Sequence, residues 1–164
     1  MASENINLRE LANDSELWVG DSGASRHLCK TCEGMVNERG ARASENFTMG
    51  NGQNAKAAVV GDILGTVDST KIKVSDVAYC PDAKFNLFSL SLMLKKGWTM
   101  HGNEDSITVS KGEGSSKREL RFDIKVNTSR GVLYCVRIKL NRKEEVATVL
   151  MQEKERKKMG SGQE

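Results

Sequence analysis

The sequence predicts a small, mainly β protein, and three features predict it. Short runs of alternating or β-branched residues recur, as in Lys71-Ile72-Lys73-Val74, the period of strands with two unlike faces. The 164 residues include 15 Gly but 1 Pro, which suits a turn-rich fold. Only one stretch, Phe85 to Lys96, carries a strong helical pattern, with Leu87, Leu90 and Leu94 on one face.

Taken in order, residues 1–16 read as a polar leader or linker with a short helix around Leu8 to Leu11. Leu17 to Val19 form a short apolar strand that runs straight into Asp21-Ser22-Gly23. Phe47 to Val60 predict a hairpin, because Asn51-Gly52 supplies two positions suited to positive φ. Gly61 and Gly65 bracket a short strand or bulged segment, Asp62 to Leu64. A strand from Lys71 leads through Tyr79 to Pro81. In the helix that follows, Asn86 is the expected cap and Gly97 the stop. Strands are expected at Ser106–Ser110, Glu119–Val126 and Gly131–Leu140, with a turn over 112–117. From Asn141 to Glu164 the chain becomes charged, and a frayed tail is expected there.

Several function classes are disfavoured by the same reading. The formal net charge is +3, too small to argue for nucleic acid. No apolar run is long enough to span a bilayer and no apolar signal region opens the chain, so no membrane partner and a cytoplasmic location are expected. Cys29 and Cys32 have the spacing of half a zinc site, but Cys80, Cys135 and His101 stand singly. Ordinary thiols are therefore expected, with no metal or other cofactor.

The chemistry centres on Asp21. A serine-nucleophile reading of Gly20-Asp21-Ser22-Gly23 needs a His base placed as in known serine hydrolases. No His precedes Ser22, and neither His27 nor His101 has an Asp three residues before it. An aspartic mechanism needs two carboxylates sharing one proton, one activating water while the other polarises the substrate carbonyl. Asp-Ser-Gly occurs once, so the second carboxylate has to come from another copy across a twofold axis. Asp62 and Asp76 lack the following Ser-Gly and are expected to be solvated or capping residues.

Trp18-Val19-Gly20-Asp21-Ser22-Gly23-Ala24-Ser25-Arg26-His27 resembles the start of the protease in copia-type retrotransposon polyproteins. Met49 to Gly52, Val77 to Pro81, Asn86 to Leu90 and Gly131 to Tyr134 continue the resemblance in order. Gly20 departs from it, standing where that family usually has an apolar residue. The resemblance implies a retropepsin-like closed β-barrel with one short helix, working as a two-fold symmetric homodimer on Gag and Gag-Pol polyproteins within virus-like particles. It implies Asp21 as the catalytic residue, Ser22 and Gly23 as support for the dyad, and Ala24 as a substrate-binding position. Gly50, Asn51 and Gly52 are expected in a substrate-covering flap, and His27 in a structural role. On this reading 17–140 form the protease domain. A non-enzymatic retroelement module and an accessory nucleic-acid-binding segment are the alternatives.

Overall fold

The computed structural model describes residues 4–31, 33–42, 47–48 and 54–141. The chain opens with β1 (Glu4–Ile6) and α1 (Leu8–Asn13), then β2 (Leu17–Asp21), β3 (Leu28–Cys29) and β4 (Met35–Gly40). Next come β5 (Phe47–Thr48), β6 (Asn54–Ala55), β7 (Val59–Val67), β8 (Thr70–Tyr79) and β9 (Asn86–Ser89), leading into α2 (Leu90–Lys95). The last strands among the described residues are β10 (Thr99–Gly102), β11 (Ile107–Lys111), β12 (Arg118–Phe122), β13 (Ile124–Thr128), β14 (Gly131–Arg137) and β15 (Lys139–Leu140).

The main sheet runs β1-β13-β14-β2-β9-β3-β8-β7-β15, with β4 also paired to β7. Ile138 alone separates β14 from β15. The run that pairs with β2 through Cys135, Val136 and Arg137 therefore pairs again with β7, at Thr66 and Gly65. The sheet thus curves back on itself through one fully buried residue. A three-stranded sheet, β10-β11-β12, packs beside it, and β5 pairs with β6 separately.

Burial explains the unbroken apolar run at Leu17-Trp18-Val19. Trp18 enters the core with Ile63, Val77, Phe88, Phe122 and Ile138, while Leu17 and Val19 enter a second cluster with Leu11, Ile124 and Val126. A strand covered on both faces has no polar side to alternate with.

Within the stretch 1–16, expected as a leader or linker, residues 4–16 contribute to this fold. β1 pairs in parallel with β13, and α1 buries Leu11. Asn7 caps α1 by accepting the Glu10 amide at 2.9 Å. Arg137 on β14 then ties down the next residues through Asp14 at 2.7 Å and Glu16 at 3.2 Å.

Three expectations need correction. The helix expected over Phe85–Lys96 is confined to α2, because Asn86–Ser89 pair with β2 as a strand, and Ser89, not Asn86, caps the helix. Gly61 and Gly65 do not delimit a short strand, since β7 runs through both, while the alternative of a bulged segment holds: the β7–β8 register shifts between Gly61 and Ile63. They are glycine because neighbours approach closely: a Cβ at Gly61 would lie 2.6 Å from Met35 Cγ, and one at Gly65 would lie 2.7 Å from the Lys139 carbonyl oxygen. The strand expected over Glu119–Val126 is two strands, β12 and β13, broken at Asp123. The charged tail beyond Asn141 lies outside the described residues.

β7 and β8 form a hairpin whose two turn residues, Asp68 and Ser69, have φ of 47° and 69°. Both stand in the left-handed region that a two-residue hairpin turn requires and that non-glycine residues occupy at a cost. Ser69→Gly is expected to stabilise the protein by about 1 kcal/mol. Gly65→Ala is expected to destabilise it by about 1–3 kcal/mol, since its Cβ would meet backbone that cannot yield without displacing β15. Urea unfolding of both variants against the parent checks the two signs together.

Candidate active site

Asp21 is the last residue of β2, and its placement follows from the parallel pairing of β2 with β9, which sets Gly20 beside Phe88 and Asp21 beside Ser89. Phe122 fills the space beside Gly20. A Cβ at position 20 would approach its ring at 3.1 Å and Leu90 Cδ1 at 3.4 Å. Glycine here therefore admits the Phe122 ring, which packs edge-on against Phe88 with centroids 5.3 Å apart. The departure at Gly20 makes room for a bulky neighbour beside the strand.

Beyond Asp21 the chain turns. Asp21 Oδ1 accepts the Gly23 amide at 2.7 Å, and a Cβ at Gly23 would crowd that oxygen at 3.2 Å. Ser22 and Gly23 are exposed, while Asp21 and Ala24 are partly buried. The backbone carbonyls of this turn are gripped from the β9–α2 junction. The Ser91 hydroxyl donates to the Ser22 carbonyl, and the Ser89 hydroxyl donates to the Ala24 carbonyl at 2.5 Å.

Ser89 is fully buried and does two further things. Its Oγ accepts the Leu92 amide at 3.0 Å and so caps α2. Its own amide donates to His27 Nδ1 at 2.9 Å. His27 is also buried and lies against Phe88 with ring centroids 4.4 Å apart. Burial, reinforced by the positive charges of Lys96 and Arg26, lowers the His27 pKa from 6.5 to about 4. The accepting Nδ1 fits the neutral ring with its proton on Nε2. His27 is thus a structural acceptor that holds the junction, in keeping with the role expected of it.

One strand turn away, Asn86 fixes where β2 begins. Only 2% exposed, it donates to the carbonyls of Ser15 at 2.8 Å and Leu17 at 3.1 Å and accepts the Lys30 amide at 2.9 Å. A buried carboxamide with three partners ties together the segments entering β2 and leaving β3. Asn86, Ser89 and Ser91 carry the site, and their roles are not visible as local patterns. Two signals were available: the stretch Asn86 to Leu90 that carries part of the resemblance, and Asn86 itself, a polar residue inside the otherwise apolar run Phe85 to Phe88.

The other titratable candidates are engaged elsewhere. Asp62 accepts the Asp76 amide at 3.1 Å and the Asn37 side-chain amide at 2.9 Å, with Lys73 Nζ at 3.7 Å. These contacts secure the bulge where β4, β7 and β8 meet. Cys80 and Cys135 are buried thiols, pushed up by desolvation to about 11 and about 12, values that suit inert packing groups. Among the described residues no group of three His, Cys, Asp or Glu is arranged to hold a metal ion, and Cys32 lies outside them. So do the expected flap residues Gly50, Asn51 and Gly52; the paired strands β5 and β6 bracket that segment.

The His27 contact makes stability depend on pH. Its folded-state pKa lies below the unfolded value, so between pH 6.5 and about 4 the unfolded chain binds the proton first. His27's contribution is fully present above pH 6.5 and is lost as the pH falls to about 4, by up to roughly 3 kcal/mol. His27→Asn keeps an acceptor without the titration, and it is expected to flatten the pH dependence of the urea midpoint across that window.

Residues 18–98 match the family model of the Pol polyprotein, beta-barrel domain. Neither a curated protein nor a solved structure gives a significant match. The matched residues run from Trp18 on β2 to Trp98 just past α2, and so include Asp21, the turn after it and the β9–α2 junction that grips that turn. They support a mainly β, Pol polyprotein region carrying the candidate site.

Proposed function

We propose that the protein is an aspartic endopeptidase that processes the Gag and Gag-Pol polyproteins of a copia-type retrotransposon. The observation that carries this reading is the Asp21-Ser22-Gly23 turn: a strand-end carboxylate, an amide donor on one of its oxygens and a loop held from behind by Ser89 and Ser91. Such a group is pre-positioned before substrate arrives, which is what electrostatic and acid–base catalysis require.

Each chain carries one Asp-Ser-Gly, so two copies have to assemble for two Asp21 carboxylates to share a proton. In the shared-proton state one carboxylate takes a proton from water while the other donates a hydrogen bond to the scissile carbonyl. The pair exchanges these roles as the tetrahedral intermediate collapses. In this reading Ser22 braces the dyad across the dimer, and two copies together complete a retropepsin-like barrel. Ala24 would contact the peptide from below, and the segment at Gly50, Asn51 and Gly52 would cover it from above.

A second reading, a non-enzymatic Pol-derived module, is favoured by one observation. The N-terminal strand β1 pairs within its own sheet, on β13, and so is engaged at home on one of its edges. The two readings part in a cleavage assay. Purified protein is incubated at mildly acidic pH with a Gag-derived substrate, beside Asp21→Asn. The endopeptidase reading predicts turnover by the parent and a loss on the order of 10³-fold in the variant. Equal cleavage by both proteins would overturn the role given to Asp21, and no cleavage by the parent as an assembled dimer favours the module.

A further inference from the structure

We propose that a second copy of this chain docks on the free edge of β10 and the exposed face of α2, and that this contact helps to complete the site. The inference rests on the endopeptidase reading above, in which one Asp-Ser-Gly per chain makes a second copy necessary. α2 leads from the site to this surface. Ser91, on the exposed face of the helix, donates to the Ser22 carbonyl in the turn after Asp21. Leu94 follows on the same side of the helix, three residues on, and is 43% exposed. The helix then gives way, through Gly97 at a φ of 92°, to β10. A copy that approaches Ser22 therefore has α2 and β10 next in its path.

β10 is an outer strand, paired with β11 on one side and with no strand on the other among the described residues. All of its residues, Thr99 to Gly102, are exposed. The strand contains neither proline nor lysine, two residues that discourage pairing at natural sheet edges. Cross-strand neighbours share a face, so Leu120, Val109 and Met100 form one row across the sheet. Leu120 and Val109 are buried, whereas Met100 is 40% exposed. The apolar face thus runs past the core and stops uncovered at the last strand.

Charge selects the occupant. Lys95 and Lys96 stand just before β10, Glu104 and Asp105 just after it, and all four are exposed. Asp105 lies 3.8 Å from Lys125 of its own chain, yet its side chain stays 68% exposed. Antiparallel pairing of two β10 edges about a twofold axis at Met100 sets the basic end of each copy against the acidic end of the other. An isologous contact needs such self-complementarity. Met100 of each copy then meets its own counterpart, and the uncovered ends of the two apolar rows close on each other.

Analytical sedimentation and the cleavage assay, both on the full chain, test this with two double variants: Lys95→Glu with Lys96→Glu, and Glu104→Lys with Asp105→Lys. Each is expected to raise the dimer dissociation constant at least roughly tenfold. An equimolar mixture of the two is expected to restore both dimer and cleavage, because every meeting end is then opposite in sign. Met100→Lys is expected to weaken the dimer as well. All five positions are exposed, and circular dichroism like the parent's verifies that the variants are folded. Three results would overturn the proposal: a parent that stays monomeric, folded double variants that dimerise like the parent, or a mixture that restores nothing. Where the parent dimerises and cleaves, the last two leave the endopeptidase reading intact. A parent that dimerises through β10 without cleaving supports the contact and removes the enzyme.

Discussion

Ser89 is the point on which the site depends. A single buried residue receives β9 from the sheet, starts α2, fixes the ring of His27 and holds the carbonyl of Ala24. The parallel pairing of β9 with β2 places it beside Asp21. Removing its hydroxyl would leave the Ala24 carbonyl and the Leu92 amide without their partner in a region from which water is largely excluded, where unsatisfied polar groups are expensive. The turn after Asp21 therefore owes its geometry more to the strand 65 residues downstream than to its own sequence.

A second constraint operates at the far side of the sheet. Ile138 lets one run of chain serve both β2 and β7, and the lack of a side chain at Gly65 lets that run come close enough to pair. With the sheet curved in this way, Trp18, Ile63, Phe88 and Ile138 share one core. The neighbouring β10–β12 sheet adds Val109, Leu120 and Phe122 to it. Phe122 reaches the back of the Asp21 strand because position 20 is glycine. Site and core are thus coupled through Gly20, so substitutions at Phe122 should be felt at the site despite being distant in sequence.

Much of this was legible from the residues because the relevant signals are local. Alternation marked β8 and β11, the apolar run marked β2, and Asp21-Ser22-Gly23 marked the turn. The failures are places where a distant partner overrode a local preference. Leu87 and Leu90 lie at helical spacing, yet Asn86–Ser89 are drawn into the sheet by pairing with β2. Gly61 and Gly65 looked like strand breakers, but their job is to admit Met35 and Lys139. Residues 4–13 looked like a linker because they are polar, yet one buried leucine and a parallel strand suffice to attach them. The roles of Asn86, Ser89 and Ser91 at the site were unreadable for the same reason, since every bond that ties them to the segments around β2 and β3 spans more than fifty residues, and only the Ser89 cap on Leu92 is local.

An acid-dependent dyad supported by a buried neutral histidine also sets a tension within the proposed enzyme. Shared-proton chemistry is favoured by acid, while His27 holds the junction behind the dyad best when it is uncharged. The most direct test of the central claim is a mixing experiment, in which parent and Asp21→Asn chains are co-expressed at several ratios and activity is plotted against the parent fraction. If each copy supplies one half of the dyad, only pairs of parent chains are active, and an equal mixture retains about a quarter of full activity. Retention of about half, in proportion to the parent fraction, would show that each chain works alone and would contradict the account.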